Sequence, residues 1–290
     1  MTACGKAHSL FLSKEGRLFA CGFNEYGELG VASEIGDDAT GEGEAAIMLK
    51  CKNTPFQVNT TKKMRYIAAA GNHSLAISTE YDKGHAKSDV YTWGSSASGQ
   101  LGHYKVKNTY NITKPKKVKF LDNPETKIVF AAASFKHTLC VDDQGAIWYF
   151  GEKQSVGVHD KNEKLQFEPK KLVPQNKEYM TEQDLDYRYI AAGPNNNMAI
   201  SMRNGNIFNF GLNVLNAQRT AGLAGPADES SSDGESSDSG DPIDLLDLGG
   251  NEKSDEAYFM EQTFAEKEED QEAYHVSVGT YHQVAIQKCT

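Results

Sequence analysis

The chain has 290 residues, of which 39% are hydrophobic and 26 are glycine, and its formal net charge at pH 7 is −10. This composition can fill the core of one large domain or two small ones. It contains no apolar run of the roughly 18 residues that a membrane-spanning helix needs, and its first residues lack the apolar stretch of a signal peptide. We therefore predict no membrane insertion and a cytoplasmic or nuclear location.

The negative charge is concentrated in one segment. Residues 227–272 contain 17 Asp and Glu but only 2 Lys, which is a local net charge of −15. Subtracting this value from −10 leaves +5 for the other 244 residues. The remainder of the chain is therefore mildly basic.

The cysteines are scattered and include no Cys-x-x-Cys pair. This spacing argues against a zinc site and against a disulfide framework, and it fits a reducing compartment. The five residues are Cys4, Cys21, Cys51, Cys140 and Cys289.

One sequence frame recurs along the chain, namely a histidine, a polar residue and a run of three apolar residues. It begins at His8, His73, His137 and His282, and in weaker form at Asn196. Successive starts are 65, 64, 59 and 86 residues apart, and the longest interval contains the acidic segment. Such a period indicates a repeat architecture in which each repeat is one supersecondary unit.

Further landmarks keep the same order within each unit. A run of small residues precedes the histidine, and a glycine ends the strand-like run that follows the histidine. A Gly-x-Leu-Gly turn and then a proline come next, although the turn is eroded in the third unit and missing from the fourth. Four short strands rich in β-branched and aromatic residues fit one propeller blade. The landmark glycines are Gly22, Gly94, Gly151 and Gly211.

This order of motifs resembles the repeat signature of the regulator-of-chromosome-condensation (RCC1-like) family, over most of residues 3–226 and 273–290. The resemblance implies an all-β fold, an RCC1-like β-propeller with about four four-stranded blades plus a fifth-blade strand. The predicted divisions are the repeats at about 3–66, 67–130, 131–189 and 190–226, an acidic insert at 227–272 and a final propeller strand at 273–290.

Members of the family typically close a ring of seven blades, which is more than this chain supplies. Three interpretations stay open: part of a longer propeller, a half-propeller completed by another chain, or a small closed ring. In the small ring, the first and last His-bearing strands would meet. An isolated arc leaves two blade faces bare, which favours a partial propeller or a fragment of a seven-bladed one.

The acidic insert is too charged and too poor in apolar residues to pack, so we predict a disordered loop. Ser230 lies three residues before Asp233, and Ser232 lies three before Glu235. Acidophilic kinases use this pattern, which makes Ser230 and Ser232 candidate phosphorylation sites. A short amphipathic helix is a further hypothesis for residues 252–272.

A second short pattern in the insert sets leucines among carboxylates. It resembles the acidic-leucine peptides that dock onto vesicle-coat and adaptor proteins, and it is therefore a candidate partner-docking motif. Its residues are Asp244, Leu245, Leu246, Asp247 and Leu248.

We predict no catalytic, cofactor-binding or metal-binding residue. The recurring histidines occupy equivalent places in different blades, whereas the ligands of one zinc ion all lie about 2 Å from it. We expect these histidines to hydrogen-bond the backbone between strands or blades. The sequence also lacks a P-loop, a Gly-x-Ser-x-Gly elbow, a His-Glu-x-x-His motif and a dinucleotide fingerprint.

These observations predict a non-enzymatic scaffold for protein–protein interaction. The alternative, which the resemblance implies, is guanine-nucleotide exchange on a small GTPase. The expected partners are other proteins, such as a small GTPase or a coat or adaptor protein. Nucleic acid is not expected, because the lysines at 114–119 and 170–171 lack nearby stacking aromatics and the acidic insert repels phosphate.

Overall fold

The computed structural model of the chain is built from β-strands, with a 3-10 helix at Gln154–Val156. Among the residues it describes, no helix is long and apolar enough to cross a membrane. The described residues are 1–31, 51–82, 85–104, 111–118, 126–160, 162–174, 185–201, 203–212, 256–257, 260–261, 272–278 and 283–288.

Four sheets of four antiparallel strands confirm the all-β prediction. Each sheet, which we call a blade, has its strands in chain order from one edge to the other. In blade 2 an additional hairpin, β7–β8, separates the second and third strands. Blades 1 and 2 contain β1 (Thr2–Cys4), β2 (His8–Leu12), β3 (Leu18–Phe23), β4 (Cys51–Gln57), β5 (Met64–Ala70), β6 (His73–Ser78), β7 (Glu80–Asp82), β8 (His85–Lys87), β9 (Val90–Ser95) and β10 (Asn111–Lys117).

Blades 3 and 4 repeat the arrangement. A short parallel pair, β15 with β19, lies outside these sheets. The remaining strands are β11 (Ile128–Ala133), β12 (His137–Asp142), β13 (Ile147–Glu152), β14 (Leu165–Lys171), β15 (Val173–Pro174), β16 (Tyr187–Ala192), β17 (Asn197–Ser201), β18 (Ile207–Phe210), β19 (Glu256–Ala257), β20 (Met260–Glu261), β21 (Glu272–Val278) and β22 (Gln283–Lys288).

The first strands of successive units lie beside one another: β1 contacts β5, β5 contacts β11, β11 contacts β16, and β16 contacts β21. The small-residue runs of the sequence fall in these strands, because bulky side chains would keep neighbouring blades apart at this point. Toward the start of the same strands, the Tyr66 and Phe130 ring centroids lie 4.9 Å apart, and those of Phe130 and Tyr189 lie 5.4 Å apart. The first strands of the blades therefore lie side by side, as the innermost strands of a propeller do.

The hydrophobic core consists of layers between consecutive blades. Leu10 and Leu18 of blade 1 pack with Trp93 of blade 2 in one such layer. Similar layers join blade 2 to blade 3 and blade 3 to blade 4. In each of these three layers, apolar side chains of one blade are buried against the next blade, as expected for a repeat protein.

The structure differs from the predicted divisions at two places. Met260–Glu261, inside the predicted insert, pair with β18 and supply the fourth strand of blade 4. Glu256–Ala257 are also a strand, so neither pair belongs to the helix considered for 252–272. Residues 272–278 and 283–288 form an antiparallel hairpin rather than a single strand. Pairing with strands distant in sequence decides β19 and β20, which composition does not reveal.

Candidate partner-binding surface

The residues that the sequence singled out for partner docking and modification lie outside the described residues. These are Ser230, Ser232 and the motif Asp244, Leu245, Leu246, Asp247 and Leu248. Within the described ranges, no group of three or more His, Cys, Asp or Glu side chains could hold a metal ion.

Each described histidine of the repeat frame reaches across to the next blade. His8 Nε2 lies 2.8 Å from Ser74 Oγ of blade 2. His73 Nε2 lies 3.0 Å from Thr138 Oγ1 of blade 3. The sequence predicted hydrogen bonds to the backbone, but in each case the first partner is the side chain that follows the histidine position in the next blade.

The partner of the third histidine is a side-chain amide instead of a hydroxyl group. His137 Nε2 lies 2.8 Å from Asn197 Oδ1 of blade 4. The sequence signal for these partners was present, because a Ser, Thr or Asn recurs directly after the histidine position. It was missed because a hydrogen bond between residues about one repeat apart has no local signature.

The partner of each histidine then donates to the backbone of the preceding blade. Ser74 Oγ donates to the Glu28 carbonyl oxygen at 2.8 Å, and Thr138 Oγ1 donates to that of Gln100 at 2.9 Å. Because both hydroxyl protons are used in this way, the hydroxyl oxygens accept from the histidine Nε2–H groups. The accepting carbonyls belong to the Gly-x-Leu-Gly turns, so the turn and the histidine take part in the same contact between blades.

The same pair of hydrogen bonds is present between blades 3 and 4, although the turn motif of the third unit is eroded. Asn197 Nδ2 donates to the Ser155 carbonyl oxygen at 2.9 Å. Ser155 lies in the 3-10 helix that replaces the Gly-x-Leu-Gly turn. A backbone acceptor at this point thus survives a change of sequence, because any residue supplies a carbonyl group.

Burial keeps these histidines neutral. It lowers the pKa of His8 and of His137 to about 4. The pKa of His73 falls to about 3, chiefly through burial and also through repulsion from His8 and His137. Each ring serves a separate blade interface, so the arrangement holds the architecture together and does not form a shared metal site.

In each Gly-x-Leu-Gly turn, the side chain of the second residue accepts a hydrogen bond from the backbone N–H group two residues earlier. Glu28 Oε2 accepts from the Tyr26 backbone N–H at 2.8 Å, and Gln100 Oε1 accepts from that of Ser98 at the same distance. Glu28 is only 2% exposed. Burial raises the pKa of its carboxyl group, because the charged form loses its hydration.

Replacing Glu28 with glutamine is therefore expected to stabilise the fold at pH 7 by about 1 kcal/mol. The variant keeps the acceptor oxygen and removes a buried charge, and its Tm is expected to rise by roughly 2–4 °C in a thermal scan. Below the unfolded pKa of Glu28 the wild-type side chain is also protonated, so the difference should disappear as the pH falls. The matched control is Gln100→Glu, which should lower Tm at pH 7. A Glu28→Gln variant with a lower Tm would contradict the assignment.

Two lysines, one of them on an outer strand, form ion pairs with Asp89. Lys62 Nζ lies 2.5 Å from Asp89 Oδ2, and Lys117 Nζ of β10 lies 3.0 Å from Asp89 Oδ1. Burial raises the pKa of Asp89, but the hydrogen bonds from the two lysines outweigh it and the net shift is downward. Lys170 and Lys171 lie in β14, the outer strand of blade 3. The basic runs thus belong to blade edges.

Comparison with known proteins agrees with this architecture. The model of the Regulator of chromosome condensation (RCC1) repeat matches residues 15–77 and 87–141. The chain is similar to the probable E3 ubiquitin-protein ligase HERC4 of Homo sapiens, with 27% identity over 210 residues. That match includes 72% of this chain and 17% of HERC4, so the chain spans less than one fifth of this relative's length.

Two solved structures resemble the chain along nearly its whole length. Human WBSCR16 superposes with a TM-score of 0.65 at 19% identity, covering 100% of this chain and 57% of that chain. Prp20p from Saccharomyces cerevisiae, characterised for its binding to Gsp1p and histones, superposes with a TM-score of 0.60 at 20% identity, covering 98% and 55%. The repeat model matches two segments, so these segments resemble RCC1 repeats, and the two superpositions show that the fold is an RCC1-like β-propeller.

Proposed function

We propose that the chain is a non-enzymatic scaffold for protein–protein interaction, with a docking and regulatory segment in its acidic region. The observation that carries this proposal is the structural role of the recurring histidines. His8, His73 and His137 each hydrogen-bond the next blade, so they maintain the architecture. Recognition is then left to loops and blade faces, which a rigid propeller presents to partners.

The position of the acidic region supports a docking role. β18 ends at Phe210, and β20 begins at Met260 in the same blade. The connection between them therefore joins the third and fourth strands of blade 4, and within it Glu256–Ala257 pair with β15. A segment with a net charge of −15 over residues 227–272 suits a basic partner surface, and the leucines at 245, 246 and 248 suit apolar pockets on it. Phosphorylation of Ser230 and Ser232 would add further negative charge.

The test replaces Leu245, Leu246 and Leu248 together by serine in the full chain. We expect binding to a purified coat-adaptor appendage domain to weaken at least about tenfold, because apolar anchors dominate such interfaces. The measurement is titration calorimetry at fixed salt concentration. A variant with Asp233→Asn and Glu235→Gln is the control, since it changes charge outside the motif. Equal binding by the leucine variant and the wild type would contradict the docking role.

Exchange activity on a small GTPase is the second candidate, and the likeness to Prp20p, which was characterised for binding to Gsp1p, is what favours it. At 20% identity this likeness concerns the fold, so the assignment needs a direct measurement. The assay follows release of a fluorescent GDP analogue from a panel of small GTPases with and without the chain. Release of the GDP analogue at the intrinsic rate supports the scaffold function. Acceleration of about tenfold or more would instead show exchange activity. We also propose a cytoplasmic or nuclear location.

A further inference from the structure

The turns between the second and third strands end in the same way in blades 1, 3 and 4. Each contains a glycine with positive φ, namely Gly16 at +82°, Gly145 at +79° and Gly205 at +68°. The third strand of the blade begins two residues later in every case. The residues around these glycines therefore occupy equivalent positions and can be compared directly.

The residue before the glycine is chemically different in each turn. It is Glu15 in blade 1, Gln144 in blade 3 and Asn204 in blade 4. Of these three side chains, only that of asparagine can close a five-membered ring with the backbone nitrogen of the next residue and release ammonia. Glutamine would form a larger ring, which closes more slowly. Asn204 belongs to the only Asn-Gly pair in the sequence, and Gly205 carries no Cβ atom that would obstruct the approach.

The hydrogen bonding of the turn also differs in blade 4. In blades 1 and 3, the backbone N–H group of the residue after the glycine donates to a side chain near the start of the turn. These bonds run from Arg17 to Ser13 Oγ at 3.1 Å and from Ala146 to Asp142 Oδ1 at 2.8 Å. In blade 4 the equivalent N–H group, that of Asn206, donates to Asn204 Oδ1 at 3.0 Å.

This bond makes the Asn204 side-chain amide a better target for attack. When a nucleophile adds to Cγ, negative charge develops on Oδ1, and a backbone N–H group already directed at that oxygen stabilises the charge. The turn is also open to solvent, since Arg203 is exposed and Asn204 and Gly205 are half-buried. Water can therefore reach the site, and ammonia can leave it.

We propose that Asn204 is a site of spontaneous deamidation in the folded protein. The Gly205 backbone nitrogen attacks Cγ of Asn204, the bond from Cγ to Nδ2 breaks, and Nδ2 leaves as ammonia with the proton of the attacking N–H group. Water then opens the resulting succinimide ring. Cleavage of the bond from the nitrogen to the side-chain carbonyl carbon gives aspartate, and cleavage of the bond to the main-chain carbonyl carbon gives isoaspartate. The reaction consumes one water molecule and needs no oxidant or cofactor.

The two products have different consequences for blade 4. Aspartate keeps an oxygen that can accept from the Asn206 N–H group, whereas isoaspartate adds a methylene group to the main chain within the turn. Ile200 and Ile207 are paired beside this turn and are 1% and 2% exposed. A longer main chain at this point disturbs their packing, so isoaspartate weakens this end of blade 4 as it accumulates. This inference does not depend on the scaffold function.

The first test compares the folded chain with the unfolded chain. The purified full chain is incubated at neutral pH with and without urea, and conversion of residue 204 to aspartate and isoaspartate is followed by peptide mapping with mass spectrometry. We expect the folded chain to convert Asn204 at no less than about one tenth of the rate in urea, because the Asn206 N–H group offsets the restricted motion of the turn. A lower rate in the folded chain would show that the turn protects Asn204, and it would overturn the proposal.

The second test moves the Asn-Gly pair to the equivalent turn of blade 3. In a Gln144→Asn variant both pairs are present in one molecule, but the Ala146 N–H group donates to Asp142 and not to residue 144. We expect position 144 to convert about tenfold more slowly than Asn204 in the same sample. Equal rates at the two positions would show that the hydrogen bond to Oδ1 has no effect, which would overturn the structural basis of the proposal.

The third test uses Asn204→Gln, which places the residue of blade 3 in the turn of blade 4 and is therefore expected to fold. Incubated wild type should gain a more acidic form on isoelectric focusing and should lose roughly 2 °C or more in Tm once it is largely converted. The variant should gain neither change over the same period. An acidic form that appears equally in the variant would place the deamidation at another residue and would overturn the proposal.

Discussion

Replacement of Gly94 by alanine is expected to lower the free energy of unfolding by about 3 kcal/mol or more. Gly94 lies in the third strand of blade 2 at φ +102°, a backbone conformation that L-residues with a side chain rarely adopt. A Cβ atom placed there would lie 2.5 Å from the Asn72 carbonyl oxygen and 2.8 Å from His73 Cα. Both neighbours are backbone atoms that hold the histidine strand, so neither can move away cheaply.

The measurement is urea unfolding followed by the fluorescence of Trp93 and Trp148, with Ala97→Gly as the control. Ala97 is exposed in the turn after Gly94, and its replacement should change the stability by about 1 kcal/mol or less. The same crowding exists at Gly151, where a Cβ would lie 2.3 Å from the Lys136 carbonyl oxygen. Gly151→Ala should therefore match Gly94→Ala, and a mild effect at both sites would show that the landmark glycine is dispensable.

Mild acid is expected to destabilise the fold through the histidines. Their pKa values in the folded protein are lowered to about 4 for His8 and His137 and to about 3 for His73, whereas in the unfolded chain they are near 6.5. The unfolded state therefore binds more protons. The stability that each neutral histidine contributes is fully present above pH 6.5 and is lost as the pH falls toward the folded pKa.

The expected loss between pH 7 and pH 5 is about 1–2 kcal/mol for each of the three residues. In this window Asp89 and Asp160, whose pKa values are lowered, stay ionised in both states and contribute little to the slope. Urea unfolding at pH 7.5, 6 and 5 measures the loss. A variant with glutamine at positions 8, 73 and 137 should be less stable at pH 7.5 and should show a flatter dependence between pH 6.5 and 5. An unchanged slope in this variant would exclude the histidines as its source.

The repeat frame allowed much of the fold to be predicted from the sequence. His8, His73 and His137 each begin the second strand of a blade, and Gly22, Gly94 and Gly151 each lie in the third strand. These positions could be predicted because hydrophobic pattern and turn residues are local signals.

The elements that could not be predicted depend on contacts distant in sequence. Met260–Glu261 complete blade 4 after an interruption whose composition indicates disorder. The partners of the histidines lie 60 to 66 residues away in the chain, so their identity becomes clear only when consecutive blades are placed side by side. The acidic-leucine motif and the two serines remain predictions.

The connection between the third and fourth strands of a blade is where the repeats differ most in length. In blade 1 it joins Phe23 to Cys51, in blade 3 it joins Glu152 to Leu165, and in blade 4 it joins Phe210 to Met260. The strands that begin with His8, His73 and His137 are nearly equally spaced along the chain. In blades 1 to 3 each connection begins with the turn that supplies a carbonyl group to the next blade. Sequence added beyond that turn therefore lengthens the connection while these contacts between blades are kept, which allows a new binding specificity to arise there.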